Sequence, residues 1–165
     1  KGCAIMTKEI PLTQGKVAIV DDEDFEMLSR FKWCARKSDG GLLWYACRKE
    51  RINGRQHQQQ MHRLILNAPA GLFCDHINGN GLDNRRCNIR LATPQQNGMN
   101  QRVHAKSKTG FKGVTVSTCG KYQAQIKVNG KLIYLGSFAD KTSAAIVYNE
   151  AAIKYHGEFA NLNKV

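Results

Sequence analysis

The sequence predicts an α+β protein built from three small segments, and three observations lead to that class. Polar and apolar residues alternate from Lys121 to Val128, the period of a half-buried strand. Ala144, Tyr148, Ala151, Ala152 and Tyr155 recur at the spacing of one helical face. Asn-Gly pairs at 53–54 and 129–130 sit between strand-like runs, a strong hairpin signal. The 165 residues are 42% hydrophobic and 23% charged, a globular rather than disordered composition. No apolar run approaches the roughly 18–20 residues that a membrane helix needs. The start of the chain shows no secretory leader.

The first segment, residues 1–61, mixes short strands with one helix. Lys16–Val20 is expected to form a strand after the Gln14-Gly15 turn. Asp21–Phe31 is expected to form a helix, with its acids at the end where the helix dipole favours them. Phe25, Leu28 and Phe31 recur at helical spacing with Trp33 just beyond, a core stripe rather than a site. Leu43–Arg48 and Arg51–Gln60 are expected to be strands about Asn53-Gly54. Nothing in this segment carries obvious chemistry.

The third segment, 109–165, is expected to form three strands, over 111–117, 121–128 and 131–136, and a helix over 141–156. Asp140 is its expected N-cap and Gly157 its stop. The helix would cover the face bearing Tyr122, Ala124, Ile126 and Val128. Lys121, Gln123, Gln125 and Lys127 would then point outward. Such a row suits phosphates and base edges, and it equally describes an ordinary solvated sheet face.

Charge favours the first of these. Lys and Arg number 25 against 13 Asp and Glu, a net charge of +12. A balance this basic points to a polyanionic partner, nucleic acid before an anionic membrane surface. The segments 1–61, 62–108 and 109–165 carry +3, +5 and +4, and the middle one has only two acids, Asp75 and Asp83. Six cysteines, at 3, 34, 47, 74, 87 and 119, make no C-x-x-C pair, which argues against a zinc ribbon. They are expected to be free thiols in a reducing, intracellular compartment.

The middle segment, 62–108, concentrates the chemistry. Asp75-His76 closes the short run Leu72-Phe73-Cys74 and so sits at a strand end. A Gly- and Asn-rich loop follows over 77–83. Thr93-Pro94-Gln95-Gln96 starts a short helix that carries Asn97 and Asn100. A carboxylate and an amide oxygen are hard donors suited to Mg²⁺ or Mn²⁺, and an adjacent histidine can deprotonate water near neutral pH. A turn pair in an Asn-rich loop accounts for the same residue types.

Order and spacing add a resemblance. His76, Asn88 twelve residues on and Asn97 nine further resemble the motif of the His-Asn-His (HNH) endonucleases, with Asn in the last place, and Leu82–Thr93 resembles the homing-type phage branch. The resemblance implies a ββα-metal core. Asp75 and Asn97 would bind one divalent ion, His76 would be the general base, and Asn88 would hold the hairpin and orient His76. Products would be a 5′-phosphate and a 3′-hydroxyl. Arg63, Arg85, Arg86, Arg90 and Arg102 are phosphate-contact candidates. His62 is structural or touches DNA, and His104 and His156 are incidental.

The third segment resembles the plant Apetala/ethylene-response-factor DNA-binding domain through Lys112-Gly113-Val114, Gly120-Lys121-Tyr122, Ala124–Lys127, Tyr134–Phe138, Ala144-Ala145, Tyr148, Ala151-Ala152 and Asn161-Leu162-Asn163. DNA contacts carried over fall on Lys112, Thr115, Ser117, Cys119, Lys121, Gln125, Lys127 and Tyr134, with Gln123 beside them on the outward row. Thr115 and Ser117 stand where arginines are usual, and Cys119 and Tyr134 where tryptophans are usual, so the plant target sequence does not carry over. The expectation is a metal-dependent endonuclease acting on duplex DNA in a bacterial or phage-infected cell. No sustained heptads specify a dimer, so a monomer that nicks is expected, and a double-strand break would need a dimer or two visits. The rivals are a DNA-binding regulator with an inert nuclease fold and a structured-RNA nuclease.

Overall fold

Glycine and asparagine turns set the strand pairing of the first half. The computed structural model describes residues 6–38, 43–103 and 107–165; Cys3 and His104 lie outside them. The chain forms two compact units, Lys1–Thr93 and Pro94–Val165.

In the first unit, β1 (Thr7–Pro11) pairs antiparallel with β2 (Val17–Asp21). Gln14 and Gly15 between them both take positive φ, 64° and 63°. Helix α1 (Asp22–Ser29) follows with Asp22, Glu23 and Asp24 in its first turn, against the positive end of the helix dipole. It stops two residues short of Phe31. The Trp33 indole N–H donates to the Leu28 carbonyl at 2.8 Å, satisfying a terminal acceptor, and Phe31 is left 37% exposed beneath the Arg48 guanidinium. The expected stripe is thus core only at Leu28 and Trp33, with Phe25 packed at its margin.

Strands β3 (Cys34–Lys37), β4 (Trp44–Ile52) and β5 (Arg55–Gln60) form an antiparallel sheet in that order. Asn53 and Gly54, at φ 50° and 76°, turn β4 into β5. One helical turn, α2 (Met61–Ile65), leads through Asn67 (φ 44°) to the hairpin of β6 (Phe73–His76) and β7 (Ile89–Ala92). Ile10, Ala18, Val20, Leu28, Trp33, Ala46, Met61, Ile65 and Ile89 make one core, so the hairpin is anchored to the same interior as the N-terminal elements. The sequence pattern alone does not separate β1, β3 or α2.

The second unit begins with α3 (Pro94–Asn100). Strands β8 (Val114–Val116), β9 (Tyr122–Val128) and β10 (Lys131–Phe138) form an antiparallel sheet with β9 central. The first strand is shorter than expected because Gly113, at φ 71°, lies against the Tyr148 ring and ends the extended backbone. Helix α4 (Lys141–His156) has the expected limits. Asp140 accepts from the Ser143 N–H at 2.8 Å, and Gly157 takes φ 55°. Ala144, Ala145, Tyr148, Ala151 and Ala152 pack on Val114, Ala124 and Ile126. Tyr155 departs from the expected face and is 40% exposed. No helix among the described residues is long and apolar enough to cross a membrane.

Candidate active site

The end of β6 brings a carboxylate and an imidazole into a largely buried setting. Asp75 stands opposite Arg90 and His76 opposite Ile89. Both Asp75 and His76 are 6% exposed. The loop between the strands is closed by amides rather than by apolar packing. Asn88 Nδ2 donates to the Asp83 carbonyl at 2.7 Å, and its Oδ1 accepts from the Asn78 N–H at 3.0 Å. Backbone bonds from Ile77 to the Asn88 carbonyl and from Gly79 to the His76 carbonyl, both 2.8 Å, complete the closure. Asn88 therefore stitches the two ends of the loop.

The loop is also sewn to the rest of the first unit. Ile19 donates to the Leu82 carbonyl at 2.9 Å and accepts from the Asn84 N–H at 2.7 Å. The Asp21 carboxylate accepts from the Arg86 N–H at 2.7 Å. Gly81 lies so close to β4 that a Cβ there would sit 2.6 Å from the Tyr45 ring and against the Trp44 carbonyl. The glycine is what lets the loop press on Tyr45.

Tyr45 in turn walls the histidine. Its ring centroid is 5.8 Å from that of His76 and 5.7 Å from that of His62. The two imidazoles meet edge to face, 4.9 Å apart at 89°. His76 Nε2 lies 3.4 Å from Asn84 Oδ1. Burial pushes the His76 pKa below its ordinary value, against the opposing pull of Asn84, Asp75 and Asp83. Burial, aided by His76 and Arg63, pushes His62 down to about 3. Burial and the Asp75 charge raise the Tyr45 phenol. His62, left open between two roles, is thus part of the histidine's packing. Tyr45 and Asn84 were missed; only the Asp83-Asn84-Arg85 phrase hinted at the latter.

Asp75 Oδ2 accepts from Arg90 Nε at 2.9 Å and Nη2 at 2.8 Å. Among the described residues no three of His, Cys, Asp and Glu cluster as a metal site. A lone carboxylate beside an imidazole does not make a closed structural site. It does fit an open one for a hard cation such as Mg²⁺, which keeps waters and takes substrate phosphate oxygens. Asn97 lies half-buried on α3, in the second unit.

Four of the arginines expected at phosphates, Arg63, Arg85, Arg86 and Arg90, have partners within the first unit. Arg63 donates to the Leu72, Ala68 and Pro69 carbonyls at 2.8–3.2 Å, holding the turn into β6. Arg85 makes a forked pair with Asp83, both bonds 2.7 Å, which holds that carboxyl below its usual range. Arg86 forks onto Asp24 and reaches Glu23 at 2.6 Å. Arg90 is taken by Asp75. Arg102 is exposed after α3. These contacts tie the hairpin to its surroundings, a use that residue type alone does not distinguish from phosphate binding.

In the second unit, alternation about β9 puts Lys121, Gln123, Gln125 and Lys127 on the face away from α4. Thr115 and Ser137 flank Gln123, Tyr134 stands opposite Gln125, and Leu132 opposite Lys127. Tyr134 and Leu132 are 60% and 64% exposed. A register shift between Tyr134 and Gly136 breaks the alternation along β10, so Ser137 does not follow from the sequence pattern, whereas Leu132 shares the face of Tyr134 by simple alternation. Ser117 closes the turn into β9, its N–H donating to the Lys121 carbonyl, and Cys119 is an exposed thiol in the same turn. Lys112 turns from this face to the Met99 and Gln101 carbonyls at the C-terminal end of α3, where burial lowers its pKa to about 8. A cavity of about 610 Å³ in this unit is bounded by Gln125, Lys127, Leu132 and the Gly98-Met99 stretch of α3.

Comparison with known proteins bears on both units. Residues 67–99 match the family described as HNH endonuclease. An uncharacterized HNH endonuclease of Acanthamoeba polyphaga mimivirus is 32% identical over 158 residues, covering 92% of this chain and 77% of that protein. Shorter similarities join 61 residues at 38% identity to APETALA2-like protein 2 of Oryza sativa, covering 36% of this chain and 14% of that protein. Another joins 63 residues at 35% identity to protein 3.8 of Escherichia phage T7, covering 38% of this chain and 52% of that one.

Proposed function

The chain belongs to the HNH endonucleases, and on that premise we propose that it is a homing-type, metal-dependent enzyme hydrolysing phosphodiester bonds of duplex DNA. In this reading residues 62–108 form the nuclease core and 109–165 an Apetala-like DNA-binding domain. The observation that carries it is the His76 imidazole buried beside Asp75 at the end of β6. A neutral imidazole accepts a proton from water while the new P–O bond forms and the bond to the 3′ oxygen breaks; the departing 3′ oxygen takes a proton from solvent, leaving a 5′-phosphate and a 3′-hydroxyl. Asp75 would hold Mg²⁺ or Mn²⁺, and the resemblance assigns Asn97 the second protein ligand. When bound, the cation supplies positive charge to the scissile phosphate and the leaving oxygen. Arg90 orients the Asp75 carboxylate, and Asn88 holds the loop that presents His76.

The open sheet face supplies the grip. Lys121 and Lys127 would meet phosphates. Gln123 and Gln125 would meet base edges, Thr115 and Ser117 would lie at the rim, and Tyr134 and Leu132 would add apolar contact. Two of the intrachain-paired arginines, Arg85 and Arg86, remain half-exposed and could reach phosphate without leaving their carboxylates. A single active site cuts one strand, so a monomer would nick.

The test is a supercoiled plasmid carrying candidate target sites, incubated with Mg²⁺ or with EDTA, beside His76→Ala. Relaxed circles that need both the cation and His76 are expected. DNA bound but intact under every condition would leave a binding protein with an inert nuclease fold.

A further inference from the structure

We propose that the outer face of the β3–β4–β5 sheet is a second DNA-binding surface, which grips the duplex backbone beside the scissile phosphate through Arg36, Lys49 and Arg51. The proposal rests on the reading that the chain acts on duplex DNA. It gives a role to a segment in which the sequence shows no obvious chemistry.

Register sorts the residues of this sheet by face. Ala35 lies opposite Ala46, and both are buried, Ala46 in the core of the first unit. The pairing runs without a shift across all three strands, so alternation holds throughout. The outer face therefore carries Arg36 opposite Tyr45, Lys49 opposite Gln58 and Arg51 opposite Gln56. All of these except Tyr45 are exposed. The three strands contain one acid, Glu50, and it shares the face of Ala46, where Arg48 takes it at 2.9 Å. The outer face is thus cationic and holds no carboxylate.

Its cations differ from the arginines of the hairpin. Arg85, Arg86 and Arg90 are held by carboxylates. Among the described residues Arg36, Lys49 and Arg51 form no ion pair. Arg36 donates to the Gln58 amide oxygen, a neutral partner that orients the guanidinium and leaves its charge uncancelled. Unneutralised cations beside glutamines suit a phosphodiester backbone: the cations release its counterions, and the amides donate to its oxygens.

The face also leads to His76. Tyr45 lies on it, with its ring centroid 5.8 Å from that of His76. Gln60, at the end of β5 on the same face, meets His62 at 3.1 Å, and His62 stands 4.9 Å from His76. A hollow of about 280 Å³, bounded by Arg36, Tyr45, Gln58 and Gln60, joins the cationic row to that end. This continuity commits the surface to the duplex being cut, whose backbone next to the scissile phosphate would run over it.

Fluorescence anisotropy of the full chain with a labelled DNA duplex of arbitrary sequence, recorded in EDTA across a salt series, tests the surface apart from cleavage. Lys49→Gln with Arg51→Gln removes two charges from the outer face, and Lys37→Gln with Arg55→Gln removes two exposed charges from the opposite face. The outer pair should weaken binding about 10-fold or more and lower the slope of log K against log salt by about 2, while the opposite pair should stay within about twofold of wild type. Equal losses in both pairs would reduce the effect to net charge and overturn the proposal. Wild-type binding by the outer pair would overturn it too, even where Lys127→Ala weakens binding. Duplex RNA that competes better than duplex DNA would overturn the choice of partner. Lysine acetylation footprinting of the wild-type chain needs no variant: bound DNA should shield Lys49 and leave Lys37 reactive, and an unshielded Lys49 would contradict the surface. DNA held in this pattern but never cut with Mg²⁺ would strike the nuclease reading and keep the surface.

Discussion

The hairpin of the first unit and the sheet of the second use polar residues in opposite ways. In the hairpin, Asp75, His76, Asp83, Asn84 and Asn88 are buried and bonded to neighbouring side chains or to backbone. In the sheet, the interior is Val114, Ala124, Ile126 and alanines of α4, while Lys and Gln face solvent. Burying a polar group costs free energy unless its bonds are met, so a buried cluster survives where its geometry is needed. Exposed lysines and glutamines cost little and stay available to a partner. The contrast separates a region suited to chemistry from one suited to binding.

The sharpest way to break the comparison is His76→Ala. Loss of a general base is expected to slow cleavage about 10²- to 10⁴-fold with DNA binding kept, measured by single-turnover nicking beside a gel-shift titration. A loss of binding of comparable size would blur the two regions.

Gly81→Ala comes next. A methyl group there collides with Tyr45 and the Trp44 carbonyl, so the hairpin should lose on the order of 3 kcal/mol of stability. Thermal unfolding measures it, and an unchanged melting temperature would show that the loop does not press on β4. Lys127→Ala should act on the other region alone. DNA affinity should fall by about 1 kcal/mol, with the slope of log K against log salt reduced by about 1.

The smallest effect at neutral pH belongs to His62. Its folded pKa, about 3, lies below the ordinary 6.5. The unfolded chain therefore binds the proton first, so the stability contributed is present above pH 6.5 and is lost as pH falls toward 3. Denaturant melts across that range should show the decline, and His62→Phe should flatten it. Equal slopes in both proteins would remove His62 from the linkage.

Legibility in the sequence follows the same divide. Helix α4 is bounded as expected because its cap, its stop and its small-residue face are all local signals. The outward row of β9 was legible for the same reason, since alternation is a property of neighbours in the chain. In the first unit, α2 has too few turns to show a period and is held through its own Arg63, which donates to the Leu72 carbonyl nine residues on. Strand β1 becomes a strand through its register with β2. The Asp75-His76 pair was visible as a strand end, whereas Tyr45, His62 and Asn84 gather around it only in three dimensions. The intrachain partners of Arg63, Arg85, Arg86 and Arg90 were not legible, because a guanidinium fork serves a carboxylate, a carbonyl or a phosphate equally well.

The most direct test of the division is single-turnover cleavage measured across a full titration of protein over DNA, for the wild type, His76→Ala and Lys127→Ala. The account predicts that Lys127→Ala needs more protein but reaches the wild-type rate at saturation, while His76→Ala saturates normally and stays slow. A Lys127→Ala plateau as low as that of His76→Ala, or a half-saturation point shifted by His76→Ala, would contradict it.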